Sequence, residues 1–325
     1  MIRLEISGYG RIGRCLVRAI LERGLSDQIE LVAINDLEDF TILAHLTRFD
    51  STHGRADIDV AVEGDHMRLG PWRPRLLQER DPSKQPWREL NVDLVIESSG
   101  KLKTRAALAG HLDAGAKRVL ASYPVADADI TTVYGVNHNQ IKTTDTVISN
   151  ASCTTNCLAP VVKGLDEAFG FVQGQMTTIH AYTNDQRILD FPHSDLRRAR
   201  AAAMSMIPTR TGAAAAVALV IPELKGRFDG LAIRVPTPNV SVVDVVMEIE
   251  RETTVSEVNQ ALQEESNRYL GFSDEPLVSI DYQGNPHSSV VDGMSTKVIG
   301  SSVKVLSWYD NEWGYSNRVL DLILH

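Results

Sequence analysis

Short apolar runs alternate with helix-period segments through the first half of the chain. Ile2–Ser7 reads as a strand that breaks at Gly8-Tyr9-Gly10-Arg11-Ile12-Gly13. Beyond it Ile12, Cys15, Leu16, Ala19 and Ile20 fall at i, i+3, i+4, i+7 and i+8, the stripe of an amphipathic helix. Glu30–Asn35 is a continuous apolar run, the pattern of a parallel strand buried on both faces, and Asp36 follows it. Val92–Glu97, Arg118–Ser122 and Thr146–Ser149 predict further strands, with a helix near Lys103–Ala114. Ile58–Leu69 reads as an inserted hairpin turning at Glu63-Gly64-Asp65. The alternation predicts an α/β, doubly wound, Rossmann-type sheet.

After Cys157 the pattern changes. Val240–Ile249, Leu277–Asp281 and Thr296–Ser307 alternate or are β-branched-rich, which predicts a mainly antiparallel sheet backed by helices such as Val255–Asn267, hence an α+β second domain. Residues 182–208 show no clean period, and an irregular segment of that length is usually functional or an interface. The last piece, Gly314–His325, reads as a terminal helix.

A length of 325 residues predicts two domains, each able to bury a core. The formal charge of −9, from 33 basic and 42 acidic residues, gives no support to a nucleic-acid or anionic-membrane partner. No run of about 18 apolar residues occurs, and Met1-Ile2-Arg3-Leu4-Glu5 is no signal peptide, so a cytoplasmic location is expected. Three cysteines make no disulfide framework. Cys153 and Cys157 have helical spacing, but no nearby ligand completes a tetrahedral set, and no metal is expected.

Chemistry concentrates at Asn150-Ala151-Ser152-Cys153-Thr154-Thr155-Asn156-Cys157, where a strand-like run gives way to a helical pattern reaching about Gly170. A thiol at a helix N-terminus meets unpaired N–H groups and the positive end of the dipole. Both are expected to lower its pKa and to leave donors for an oxyanion. A small core cysteine is the competing reading. His180 ends the strand-like run Met176–Ile179 and is the histidine best placed to serve as base, although a structural role suits the sequence equally well. Arg197, Arg198, Arg200 and Arg234 are either solvated or recognise phosphate.

The glycine motif follows a strand, opens a helix and has Asp36 lying 23 positions beyond Gly13. That context is a dinucleotide site: the glycines admit a pyrophosphate and Asp36 bonds the ribose hydroxyls. An aspartate there repels a 2′-phosphate, so NAD is expected over NADP.

Six motifs carry a resemblance. Gly8–Arg14, Ser149–Cys157, His180-Ala181-Tyr182-Thr183-Asn184-Asp185-Gln186, Asp195–Ala202, Arg234–Val240 and Trp308-Tyr309-Asp310-Asn311-Glu312 together resemble the glyceraldehyde-3-phosphate dehydrogenase family, in its order and across the whole chain. The resemblance implies an NAD-binding domain over 1–152, to which the helix at 314–325 returns, and a catalytic domain over 153–313 whose S-loop spans about 182–208. It implies Cys153 as nucleophile and His180 as the residue that activates it. Cofactor contacts would come from Gly8, Gly10, Arg11, Ile12, Gly13, Asp36, Arg80, Ser122 and Asn311. The substrate phosphate would meet Thr183 and Arg234, and inorganic phosphate would meet Ser152, Thr154, Arg198, Thr211 and Gly212. The implied reaction takes D-glyceraldehyde 3-phosphate, NAD and inorganic phosphate to 1,3-bisphosphoglycerate and NADH through a cysteine thioester, in a homotetramer.

Two rival readings are erythrose-4-phosphate dehydrogenase and a non-catalytic NAD-binding regulator. Thr183, Pro192 and Thr211-Gly212 speak against the first, and the presence of both nucleophile and base against the second. Departures from the family pattern are Ser7, Leu102 and Phe191, with Arg210 gaining and Ala215 losing a basic group. Arg210 is expected to change the charge near the anion sites, so that Arg210→Thr would raise KM for phosphate.

Overall fold

The computed structural model describes residues 1–325. They form two compact units, one from Met1–Thr132, Asn139–Ala151 and Ser316–His325, the other from Val133–His138 and Ser152–Tyr315.

The first unit is built on a nine-stranded sheet. Its parallel core runs in the order Arg75–Leu77, Ile29–Asn35, Ile2–Ser7, Leu94–Glu97, Arg118–Ala121, Val147–Ser149, with Ile130–Thr131 at one edge. The chain starts in the middle and winds outwards both ways, so the order reverses between Ile2–Ser7 and Leu94–Glu97. Open α/β sheets hold ligands at that switch point, beyond the C-terminal strand ends. Ser7 and Glu97 stand side by side there. The Ile2–Ser7 strand and the Arg11–Glu22 helix bury Leu4, Ile6, Leu16 and Ile20. On the other face Trp87, Val95, Leu108, Val119 and Ala121 form one apolar cluster. The expected hairpin is present as Val60–Glu63 paired antiparallel to His66–Leu69, and it joins the sheet where His66 meets Arg75. The C-terminal segment is tied by Arg23, whose guanidinium donates to Asp321 at 3.0 Å.

The second unit holds a seven-stranded mixed sheet, ordered Ile207–Arg210, Phe228–Val235, Phe171–Ala181, Ser241–Ile249, Ser302–Tyr309, Ser289–Ile299, Leu270–Ser273. Four of its strand pairs are antiparallel and two parallel. Val243, Val245 and Met247 are buried beneath the Cys153–Phe169 helix, while Val246 and Glu248 point outwards. This is the two-residue alternation of a sheet covered on one face.

Two expected strands differ. Leu277–Asp281 is not a strand: Ser279–Tyr282 makes a 3₁₀ turn, because the Asp281 carboxylate accepts from Val278 N at 2.8 Å and closes the chain on itself. Thr296–Ser307 is two strands, folded at Gly300 with φ +59°. No helix is long and apolar enough to cross a membrane.

Candidate active site

Ser152 is the N-cap of the Cys153–Phe169 helix, and its hydroxyl accepts from Thr155 N at 3.0 Å. Cys153 is therefore the first helical residue, beside the unpaired N–H groups of the first turn. In the neighbouring sheet, strand Phe171–Ala181 carries Met176, Thr178 and His180 on its buried face. His180 Nε2 lies 3.5 Å from Cys153 Sγ.

Arg234, opposite His180 in the parallel register, reaches over the same imidazole. The His180 Nδ1 is 2.7 Å from Ala181 O, and Arg234 Nη1 is 2.6 Å from that nitrogen and 3.0 Å from the same carbonyl. A carbonyl only accepts. A guanidinium only donates, so the two contacts at Nδ1 ask for opposite tautomers. We assign the ring proton to Nδ1, donating to Ala181 O, because Arg234 then still has that oxygen as acceptor. The Nε2 lone pair then faces the thiol. Tyr309 braces the pair: its buried hydroxyl bonds Thr154 Oγ1 and Thr178 Oγ1, each at 2.9 Å, and its ring meets His180 edge-on.

The expected net lowering of the Cys153 pKa is not what this environment produces. Cys153 retains partial exposure, yet the protein packed around its thiol makes burial the largest influence and pushes the pKa up. Arg234 and the Thr154 N–H pull it back down. Burial and then Arg234 bring His180 down to about 3. Both shifts disfavour charge, so the resting pair is a thiol and a neutral imidazole rather than an ion pair.

A second group forms around Arg198. Its Nη1 is 2.5 Å from Asp185 Oδ2, its Nε 2.8 Å from Thr209 Oγ1, and Thr209 donates to Asp195 Oδ2 at 2.7 Å. Thr183 is held by Gln186, whose Oε1 accepts from its N and Oγ1 at 2.8 and 3.1 Å. Thr211 Oγ1 accepts from Ala213 N, and Gly212 caps the Ala213–Val220 helix with open space where a Cβ would stand. The sequence reading missed Asp185, Asp195, Thr209, Gln186 and Tyr309, since nothing in spacing tells which acid faces which arginine.

Arg210 lies beside this group, with its side chain turned away from it. Thr209 is buried and turned towards Arg198, so strand alternation sends the exposed Arg210 side chain to the opposite sheet face, beside Leu231. Its charge leaves on the face away from His180.

In the first unit the glycine turn fits a dinucleotide. Gly8 has φ +87°, and a Cβ there would lie 2.3 Å from Ser99 N, so only glycine fits. Gly10 caps the Arg11–Glu22 helix without any side-chain acceptor and with nothing within 4 Å of a Cβ, which leaves the helix N-terminus open to an anion. Gly13 packs its Cα against Gly8 O, and Ile12 is half-buried beside it. Asp36 is fixed by Tyr9 N at 2.7 Å and Glu38 N at 3.1 Å. The Arg11 side chain is committed to Asp50 by two bonds of 3.0 and 3.1 Å, so its backbone faces the turn's ligand rather than its guanidinium. Asn35 bonds Glu79 N and O, each at 3.0 Å, and so sets the segment carrying the exposed Arg80. Ser122 N donates to Glu97 O. In the second unit Ser241 Oγ donates to Asn311 Oδ1 at 2.9 Å, which turns the Asn311 amide nitrogen outwards as donor.

Residues 2–105 match the glyceraldehyde 3-phosphate dehydrogenase NAD binding domain, and 152–311 match the C-terminal domain of that name. Glyceraldehyde-3-phosphate dehydrogenase of Geobacillus stearothermophilus is 56% identical, over 99% of this chain and 97% of its own. The chromosomal enzyme of that name from Cupriavidus necator is 55% identical over 98% and 97%, and the first of two from Bacillus subtilis 54% over 99% and 97%.

Proposed function

Because the chain belongs to the glyceraldehyde-3-phosphate dehydrogenase family, we propose that Cys153, His180 and Arg234 carry the family's reaction here. The protein is an NAD-dependent oxidoreductase of glycolysis, oxidising D-glyceraldehyde 3-phosphate with inorganic phosphate to 1,3-bisphosphoglycerate. The observation that carries the residue assignment is the Cys153 Sγ–His180 Nε2 approach of 3.5 Å.

Cys153 Sγ adds to the aldehyde carbon, and the thiol proton passes by way of His180 Nε2 to the carbonyl oxygen, giving a hemithioacetal. NAD, when bound, supplies the acceptor for the hydride that leaves that carbon. His180 removes the hydroxyl proton in the same step, so a thioester remains on Cys153. The Cys153 N–H at the helix start and protonated His180 stabilise the oxyanion. Inorganic phosphate then attacks the thioester carbon, the acyl phosphate departs, and the thiolate regains a proton from His180. A thioester keeps the free energy of oxidation available for that transfer, which hydrolysis to a free acid would dissipate.

Arg234 and Thr183 are assigned to the substrate phosphate. Ser152, Thr154, Arg198, Thr211 and Gly212 are assigned to inorganic phosphate, with Arg198 aimed by Asp185 and Asp195. Gly8, Gly10, Arg11, Ile12, Gly13, Asp36, Arg80, Ser122 and Asn311 would hold NAD, Asn311 through its amide donor. The Ser152 and Thr154 hydroxyls are already engaged with Thr155 and Tyr309, which leaves their backbone N–H groups as the simpler donors. The assembly is a homotetramer in the cytoplasm. The support for association is the irregular segment at 182–208, which exposes Ile188 at 85%, Leu196 at 82% and Phe191 at 65%.

The test is the initial rate of NADH formation from D-glyceraldehyde 3-phosphate and NAD, with and without inorganic phosphate. The expected rate requires phosphate. A rate indifferent to phosphate means that water resolves the thioester, as the erythrose-4-phosphate reading predicts, and no rate at all removes the catalytic assignment.

A further inference from the structure

Two carboxylates and a histidine are buried together behind the glycine turn, and the reaction uses none of them. Glu5 and Glu97 lie on adjacent strands, Glu5 opposite Val95 and Ser7 opposite Glu97, so both acids enter the face that buries Trp87 and Leu108. Glu97 has donors on both carboxyl oxygens. Its Oε1 accepts from Ser99 N at 2.8 Å and Ser99 Oγ at 2.5 Å. His111 Nδ1 accepts the Trp87 indole N–H at 3.0 Å, so the ring proton sits on Nε2, which donates to Glu97 Oε2 at 3.3 Å. Glu5 is poorly served. Its Oε1 accepts from Ser7 Oγ at 3.1 Å, and its buried Oε2 has no partner.

The groups that meet this pair are Glu97 from the Leu94–Glu97 strand, neutral His111 from the Arg105–Asp113 helix, Tyr123 after the Arg118–Ala121 strand, Ser7, and the Asn35 N–H. None of them brings a positive charge. Burial first, and Glu97 second, hold the Glu5 carboxyl well above the ordinary carboxylate range.

We propose that Glu5 and Glu97 form a buried carboxyl pair through which NAD binding responds to pH. The inference rests on the NAD reading of the glycine turn. The Glu97 carboxylate fixes Ser99, whose backbone is in contact with Gly8, and Ser98 Oγ donates to Gly8 O at 2.6 Å. The turn that receives the pyrophosphate therefore rests on a segment that Glu97 holds. Glu5 stands three residues before Gly8, about 10 Å along a strand. When Glu5 loses its proton, a second negative charge is repelled by Glu97 and by the pyrophosphate. Linkage makes the effect reciprocal: bound NAD tightens the hold of Glu5 on its proton, and ionised Glu5 weakens NAD.

Titration calorimetry of the full-length protein with NAD and with ADP-ribose, which lacks the nicotinamide and so avoids Cys153 and His180, tests this from pH 6 to 9.5. Wild-type affinity for both ligands is expected to fall by about three- to ten-fold as pH rises, with part of a proton taken up on binding at the alkaline end, read from buffers of different ionisation enthalpy. Glu5→Gln removes the titration, so the affinity change and the proton uptake both vanish. Glu5→Gly, which deletes the group altogether, behaves the same way and serves if the glutamine packs badly. Equal pH profiles and proton uptake in wild type and variants overturn the proposal, as does a wild-type affinity that does not change. Failure of either ligand to bind at pH 7 would instead sink the NAD reading of this turn.

Discussion

Arg234 acts on both reacting groups at once. Beside a thiol it favours the thiolate, and beside an imidazole it disfavours the imidazolium. The first effect opposes burial at Cys153 and the second adds to burial in keeping His180 neutral. Arg234→Leu should therefore raise the thiol pKa further. The alkaline rise in the rate of Cys153 alkylation by iodoacetamide would move to higher pH, and Arg234→Lys would recover part of the shift. A profile identical to wild type in the leucine variant would remove Arg234 from this role. At this scale the sequence was informative about identity and silent about environment. Cys153 and His180 could be picked from their places at a helix start and a strand end. The sign of the thiol shift could not, because it depends on how deeply the Cys153 thiol is packed, and that comes from strands far away in the chain.

Among the elements, the edge of the parallel sheet is held by one side chain. The Asp129 carboxylate takes Arg105 Nε at 2.6 Å, Thr146 N at 2.8 Å and Val147 N at 2.9 Å, locking the start of the Val147–Ser149 strand. Arg105 first, then these backbone donors, depress its pKa. A depressed carboxylate contributes stability that is complete above its unfolded value near 4 and is lost as pH falls towards the folded value. Asp129→Asn should cost about 1–2 kcal/mol at pH 7, the ion-pair share being small because solvent screens it. Urea midpoints followed from pH 7 to pH 3 should show the gap closing in acid, and a constant gap would show that charge is irrelevant there. The elements that could be read in advance were those with a strong period, such as the Arg11–Glu22 helix and the Ile29–Asn35 strand. Ala213–Val220 was missed because Ala-Ala-Ala-Ala-Val-Ala-Leu-Val is apolar all round and has no stripe to detect. Val255–Glu264 ends short of Asn267 because that side chain accepts from Tyr269 N and Leu270 N and turns the chain away. Its start carried a legible signal, the Thr254–Glu257 capping box.

For the whole molecule, the unexplained quantity is apolar surface. Ile188, Leu189, Phe191, Leu196, Met204 and Met206 are all exposed within one short stretch, far more than scattered surface hydrophobes require. The stretch is nevertheless ordered by its own polar bonds, Arg200 to Asp190 and Arg198 to Asp185, so the apolar side chains are presented outwards rather than left loose. A second copy of the chain is the occupant that the homotetramer assignment supplies. Since Arg198 and Thr183 lie in the same stretch, association would also steady the anion sites. Sedimentation of the wild type should give a tetramer. Replacing Ile188 and Leu189 together by aspartate should shift the population towards smaller species and raise KM for inorganic phosphate. Because two buried charges in an interface are strongly unfavourable, the shift should be large even at high protein concentration. A wild type that sediments as a monomer, or a double variant that remains a tetramer with unchanged KM, would mean that this surface is not what holds the copies together.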